Sequence, residues 1–396
     1  MTFKAGTTSV RATAIVSRVL DAFTRNRNVL LVGPPGTGKS VALEDLRSLF
    51  ENETPPLFDP DDTENPWHDA EVPAGEGKVR SLVLHPSFSY EDLVIGLLPK
   101  SSGNNVGIQP HVGPLLSLAH FASQPGRKGL LILDEFNRGN AAAAFGDTLA
   151  LLDTDKRSTP AYDGAVIDTP YVDLEPEVGE EFSRSDGTPD ILGPLTSFPD
   201  SLYIVAAMNS ADRSVAPLDA ALRRRFEIVH IGPDYELLRG RLGAEGTLAV
   251  ALEDADAVQV GELAVRMLES VNERIELVLG RDFLLGHSLL WDLAPIVDAG
   301  ERDTALKHLA QVFDDRVVAT LRLTFTDQDE HLAAVLRVPS SGSTAFARWR
   351  DPLPELEAYA TRRLVFSELH SVDDLSKAYT ALCAVAGAQA DAAASS

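Results

Sequence analysis

Val29-Leu30-Leu31-Val32-Gly33-Pro34-Pro35-Gly36-Thr37-Gly38-Lys39-Ser40 is the stretch that decides the fold. Four apolar residues suited to a buried strand run straight into a GxxxxGK[ST] loop, and helical spacing begins near Lys39. Strand, glycine-rich turn and helix in that order are what this motif needs. The glycines let main-chain N–H groups turn inward around phosphates, and the helix N-terminus adds a positive dipole end. Gly33, Pro34, Pro35, Gly36, Thr37, Gly38, Lys39 and Ser40 are therefore expected to hold a nucleotide. Lys39 would neutralise the β- and γ-phosphates, and Ser40 would offer its hydroxyl to Mg2+. A Gly/Pro-rich turn that matches by chance is the competing reading, and the flanking strand and helix argue against it.

Outward from this loop the chain alternates apolar strands with helical stretches. Leu82–Leu84, Leu130–Leu133 and Tyr203–Ala207 read as buried parallel strands, and Phe226–Ile231 as a fifth with more alternation. This βαβα pattern predicts an α/β core: a five-stranded parallel sheet covered by helices on both faces. An amphipathic helix is expected over 9–25, capped by Ser9, within an N-terminal segment 1–28. The core is expected over 29–232, interrupted by an acidic loop at 51–80 and an irregular hairpin-type insertion at 158–200. Helical patterns at Gly261–Leu277, Thr304–Arg322 and His331–Leu336 predict a small all-α lid over 233–338. Residues 339–396 are expected to add one or two helices and a disordered end.

Three further motifs carry chemistry. Leu130-Leu131-Ile132-Leu133-Asp134-Glu135 places two carboxylates at the C-terminal end of a strand, where open α/β sheets bind ligands. Asp134 would hold the Mg2+ hydration shell, and Glu135 would orient and deprotonate an attacking water. In Met208-Asn209-Ser210-Ala211-Asp212-Arg213 the polar Asn209 follows another strand and could sense the γ-phosphate, although such an Asn is also a common turn former. In Ala221-Leu222-Arg223-Arg224-Arg225-Phe226 three arginines end a short helix. They suit either an arginine finger for a neighbouring subunit or charges that complement the helix dipole.

Composition narrows the function classes. The 396 residues are 44% hydrophobic and 24% charged, as in ordinary globular chains of two domains. Lys and Arg number 35 against 59 Asp and Glu, a net charge of −24. Such a field repels polyphosphate and disfavours broad DNA binding by this chain alone. No apolar run approaches the roughly 20 residues that span a bilayer. The single Cys383 excludes an internal disulfide and suits a reducing cytoplasm, and the nine histidines form no zinc pattern.

The motifs in this order resemble AAA+ proteins, and longer phrases narrow the resemblance to the McrB motor domain. They are His85-Pro86-Ser87-Phe88-Ser89-Tyr90-Glu91-Asp92-Leu93, DEFNRGN at 134–140, FGDTLALLDTDKR at 145–157, MNSADRSVAPLDAALRRRF at 208–226 and Phe283-Leu284-Leu285-Gly286-His287-Ser288. The likeness runs from about residue 28 to about residue 337. It implies a Mg2+-dependent ATPase or GTPase in a hexameric ring with an α/β core and a helical lid. It implies that Asn209 and Asp212 form the family's MNxxD signature, in which the Asn helps place the hydrolytic water. By the same resemblance Arg224, Arg225 and Arg138 act at the subunit interface, and the lid near His287 approaches the nucleotide.

The departures set further expectations. McrB carries a DNA-reading domain ahead of its motor, whereas about 28 residues precede the first strand here. No PD-(D/E)xK-like nuclease core is evident. Target recognition and cleavage are therefore expected from an McrC-like or nuclease partner, with DNA met only through that partner or the ring pore. McrB prefers GTP, yet this chain lacks the NKxD guanine motif, so ATP and GTP both stay open. Two other readings compete: a MoxR-like chaperone ATPase that remodels proteins, and a nucleotide-gated assembly scaffold.

Overall fold

The computed structural model describes residues 7–54, 68–102, 105–183, 190–212, 218–244, 246–249, 251–356 and 360–388. The expected disordered end (389–396), part of the acidic loop (55–67), part of the insertion (184–189) and the phrase at 213–217 lie outside them. Contacts divide the chain into two units: Met1–Gly33 with Gly38–Ile231, and Pro34–Thr37 with Gly232–Ser396.

In the first unit the chain opens as strand β1 (Thr7–Ala12) and helix α1 (Ala14–Arg25). This corrects the expected single helix: Ser9 caps nothing and lies in β1 opposite Glu71. After β2 (Asn28–Gly33) and α2 (Lys39–Phe50), the region read as an acidic loop supplies two strands, β3 (His68–Pro73) and β4 (Glu76–Val83). β3 pairs antiparallel with β1, a long-range pairing that acidic composition hid. A four-residue helix α3 (Tyr90–Leu93) leads into an antiparallel hairpin, β5 (Ile95–Ser102) and β6 (Asn105–Val112), which the sequence reading did not anticipate. Helix α4 (Pro114–Ala122), β7 (Arg127–Asp134) and α5 (Ala141–Phe145) follow. The insertion holds a two-residue hairpin, β8 (Ile167–Asp168) with β9 (Leu195–Thr196), and short 3-10 turns. β10 (Leu202–Asn209), α6 (Ala220–Arg223) and β11 (Glu227–His230) complete the unit.

The main sheet has the order β11-β2-β10-β7-β4, and every pairing in it is parallel. Successive side chains alternate between faces. Val29 and Leu31 join one core with α1 and α2, and Leu30 and Val32 join another with α4. Burial on both faces explains why these strands read as unbroken apolar runs. The expected five-stranded, helix-covered sheet is borne out.

The second unit is built on α8 (Ala257–Leu279), which a capping box of Asp256 and Gln259 starts and Gly280 at φ 96° ends. Helix α7 (Tyr235–Leu242) precedes it; α9 (Ala294–Asp298), α10 (Arg302–Val312), α11 (Ala319–Thr324) and α12 (Asp329–Val335) follow. A π-helical turn at Phe313–Val318 joins α10 to α11. The tail is not purely helical: β12 (Ala347–Arg350) pairs antiparallel with β13 (Arg363–Phe366) before α13 (Leu375–Ala386). Phe346, Leu364, Tyr379 and Leu382 share one apolar core with Val260, Leu263, Met267 and Phe313. Polar residues in four-residue strands carry little pattern of their own, and burial against α8 and α10 is what orders them.

Candidate nucleotide site

The C-terminal ends of three neighbouring strands gather the candidate residues. Gly33 ends β2, Asp134 ends β7 and Asn209 ends β10, with Asn209 in register opposite Gly33. The chain leaves β2 for β4 at the far edge of the sheet, comes back through β7 and β10, and crosses to β11 on the other side of β2, so the strand order reverses around the end of β2. Gly33 has no room for a side chain: a Cβ there would meet the Ile231 carbonyl oxygen at 2.1 Å. Gly38 takes the left-handed conformation (φ 85°) and serves as the N-cap of α2. Lys39 follows at the first helical position with its side chain buried, and its Nζ donates to the Gly33 carbonyl at 2.8 Å. Burial pushes its pKa down to about 8 against the opposing pull of Asp134 and Glu135. Ser40 is exposed in the first turn of α2.

Glu135 occupies the left-handed region at φ 52°, a conformation of real cost for a residue with a Cβ. Its neighbours impose it. The Glu135 N–H donates to Asp134 Oδ1 (2.8 Å), and the N–H of buried Phe136 donates to the Ala207 carbonyl (2.9 Å). Arg138 Nε donates to Glu135 Oε2 at 3.0 Å, and Asn209 Nδ2 lies 3.4 Å from Oε1. Asn137 Nδ2 in turn donates to the Asn209 carbonyl (3.3 Å). Asp212 is partly buried, three residues beyond Asn209. Asp134, Glu135, Arg138 and Asn209 are thus brought together, and Arg138 pairs with the Glu135 of its own chain.

The paired arginines part company. Arg224 is exposed, whereas Arg225 is 7% exposed with its Nε 3.2 Å from Asp153 Oδ1. In the second unit, buried His287 accepts the Asp234 N–H on Nδ1 (3.0 Å), and burial lowers its pKa. That unit includes Pro34–Thr37, and Ser288 N–H donates to the Gly36 carbonyl at 3.1 Å. Gly36 (φ 76°) and Gly286 pack so closely that a Cβ on Gly286 would meet Gly36 atoms at 2.3 Å.

Sequence reasoning missed the residues beneath the site. Tyr90 donates its hydroxyl to Asp147 (3.1 Å) and packs its ring where a Cβ of Gly146 would sit, which ties the SFSYEDL phrase to FGDTL. Asn28 and Arg157 are buried at the opposite edge of the sheet. Arg157 falls in the phrase at 145–157 and Asn28 in none of the phrases, and an Asn and an Arg in a polar stretch read as surface.

Mg2+ fits the donor set. Ser40 and Asp134 offer hard oxygen ligands, and such an ion keeps waters and takes substrate phosphates to fill its octahedron. Among the described residues no group of three or more His, Cys, Asp or Glu could hold a metal by itself.

Comparison with known proteins agrees with the fold. Residues 73–226 match the AAA domain (dynein-related subfamily), and residues 263–333 match the McrB α-helical lid domain. The phosphate loop lies ahead of the first match. The EcoKMcrB subunit of a type IV methyl-directed restriction enzyme of Escherichia coli is 29% identical over 277 residues, 69% of this chain and 49% of that protein. The YdiS component of the type II restriction enzyme BsuMI of Bacillus subtilis is 28% identical over 223 residues, 54% of this chain and 59% of that protein. The matched stretches span about half and about three-fifths of the length of these relatives. The solved structure of C. elegans PCH-2 aligns with 76% of this chain and 68% of that one at 14% identity and a TM-score of 0.31. No helix among the described residues is long and apolar enough to cross a membrane. The AAA core, the strand-end motifs and the McrB-type lid together make the chain an McrB-like AAA+ protein, a P-loop NTPase.

Proposed function

We propose that this chain hydrolyses a Mg2+-bound nucleoside triphosphate, ATP or GTP, as one subunit of an oligomeric ring. One observation carries the reading: Glu135 is held at a strand end beside Asp134, within reach of Asn209 and Arg138, while Lys39 is buried at the start of α2. Glu135 takes a proton from water as the water oxygen bonds to the γ-phosphorus. The bond from that phosphorus to the bridging oxygen breaks, leaving a nucleoside diphosphate and inorganic phosphate. Lys39 and an arginine from a neighbouring subunit offset the charge on the transferred group. Mg2+ held by Ser40 and Asp134 would supply Lewis acidity at the phosphate oxygens.

The distinguishing test is a pair of variants. Glu135→Gln should keep Mg2+-nucleotide affinity while turnover falls by roughly 10²- to 10⁴-fold, the usual contribution of a placed base. Lys39→Ala should lose binding itself. Equal loss of binding in both variants would contradict these roles.

The restriction enzymes among the relatives support a motor that drives a nucleic-acid-directed nuclease complex, with recognition and cleavage supplied by a partner chain. Charge favours a protein remodeller instead. From Ser158 to Ser183 the insertion carries seven Asp and Glu and no Lys or Arg, and the whole chain has a net charge of −24. Turnover measured with duplex DNA and with a basic unfolded protein separates the two: stimulation by the protein alone would select the remodeller.

A further inference from the structure

Arg223, Arg224 and Arg225 follow one another, yet their surroundings differ. Arg223 is exposed, and its guanidinium donates to the Leu218 carbonyl at 3.4 Å. Arg224 is exposed, and its side chain makes no hydrogen bond or ion pair among the described residues. Arg225 turns inward. Its NH1 donates to the Ala221 carbonyl (2.8 Å), which folds it back along α6, and its guanidinium pairs with Asp153 at 3.2 Å. Its own carbonyl accepts from Asn26 Nδ2 (3.1 Å) and Asn28 Nδ2 (3.0 Å). Asn28 is fully buried and also donates to the Leu152 carbonyl (2.7 Å), while Arg157 NH2 donates to Asn28 Oδ1 (2.7 Å). The helix end that carries the exposed arginine is thereby bolted to the segment 152–157 and to the first residue of β2. Lys156 Nζ also holds Asp153 Oδ2 at 3.1 Å, so the carboxylate stays in place between the two cations, and extending the buried Arg225 side chain into solvent would give up both its ion pair and its bond to the Ala221 carbonyl.

We propose that Arg225 is a positioning residue: clamped by Asp153, it sets the direction in which Arg224 leaves the helix end to reach a neighbouring subunit's nucleotide. The inference rests on the reading that an arginine acts across subunits in hydrolysis. Side chains that transmit a position of this kind act on turnover and not on ground-state binding.

The experiment compares steady-state kinetics of the full chain carrying Asp153→Ala, Arg225→Ala, both together, Arg224→Ala and Asp153→Asn, with Mg2+-nucleotide affinity measured for each. Asp153→Ala and Arg225→Ala should lower kcat by a similar factor, roughly 10- to 10²-fold for a misplaced group, with KM and affinity unchanged. The double variant should be no slower than either single one, because both remove the same clamp. Asp153→Asn keeps one acceptor for the guanidinium and should recover part of the rate, which separates loss of the clamp from loss of fold. Wild-type kcat in Asp153→Ala beside a slow Arg225→Ala would overturn the inference, as would a double variant slowed by the product of the two factors. In both cases a slow Arg224→Ala leaves the trans-arginine reading standing. Wild-type turnover in Arg224→Ala would overturn that reading, and this inference with it.

Discussion

The two edges of one sheet are built on opposite plans. At the C-terminal edge Asp134, Glu135 and Asn209 are only half-buried, Glu135 holds a strained backbone with Asn209 Nδ2 3.4 Å from its carboxylate, and Lys39 Nζ donates to the Gly33 carbonyl. At the N-terminal edge Asn28, Arg157 and Arg225 are buried and engaged. Arg157 reaches Asn28 and, at 3.4 Å, the Pro199 and Leu202 carbonyls; Arg27 holds Asp200 at 2.8 Å. A buried cation with several acceptors rigidifies the strand ends it joins. Lys39, at the start of the helix that follows the phosphate loop, is a cation whose charge a bound phosphate would meet. The same residue types thus serve stability at one end and chemistry at the other, according to how deeply the fold buries them.

Substitution at the closed edge should give the largest effect, and on stability. Arg157→Met removes the donors to Asn28 Oδ1 and two carbonyls, leaving buried acceptors unsatisfied at a cost of about 3 kcal/mol. Denaturant titration should show the midpoint falling, while kcat per folded molecule stays near wild type. Unchanged stability would break the contrast between the edges.

The open edge should answer in the reverse sense. Asn209→Ala should slow turnover by roughly 10²-fold, the scale expected when a water-orienting contact is lost. Its unfolding midpoint should stay within the small range of an unsealed site. A loss of stability matching that of Arg157→Met would show that this edge, too, is structural.

The smallest effect sharpens the account of Lys39. Its pKa of about 8 lies below the ordinary lysine value because burial disfavours the cation, and bound phosphates would favour the cation again. Nucleotide affinity should therefore be full below that pH and fall as pH rises through it, by about tenfold per unit at most. Lys39→Arg, charged throughout, should flatten the profile. In the absence of nucleotide the same depressed pKa acts on folding: the burial penalty on the cation is present below pH 8 and is relieved as pH rises toward the unfolded value. Calorimetric titration at several pH values checks the first, and denaturant midpoints the second.

What the sequence determined by itself was local and periodic. A strand buried on both faces must be apolar without a break, so Val29–Val32 and Leu130–Leu133 announced themselves, and the Gly-rich loop needs particular residues at fixed spacing whatever surrounds it. Asp134, Glu135, Asn209 and Lys39 were legible because each sits at a strand end that its own neighbours define. What only tertiary structure decided was which polar residues end up satisfied by distant parts of the chain. β1 pairs with β3 across residues rich in acid, and the β12–β13 tail finds its order only on the second unit's core. Arg224 and Arg225 are identical as letters, and no rule of spacing tells them apart. Asp153, 72 residues away, does so by meeting one guanidinium inside the fold and leaving the other in water.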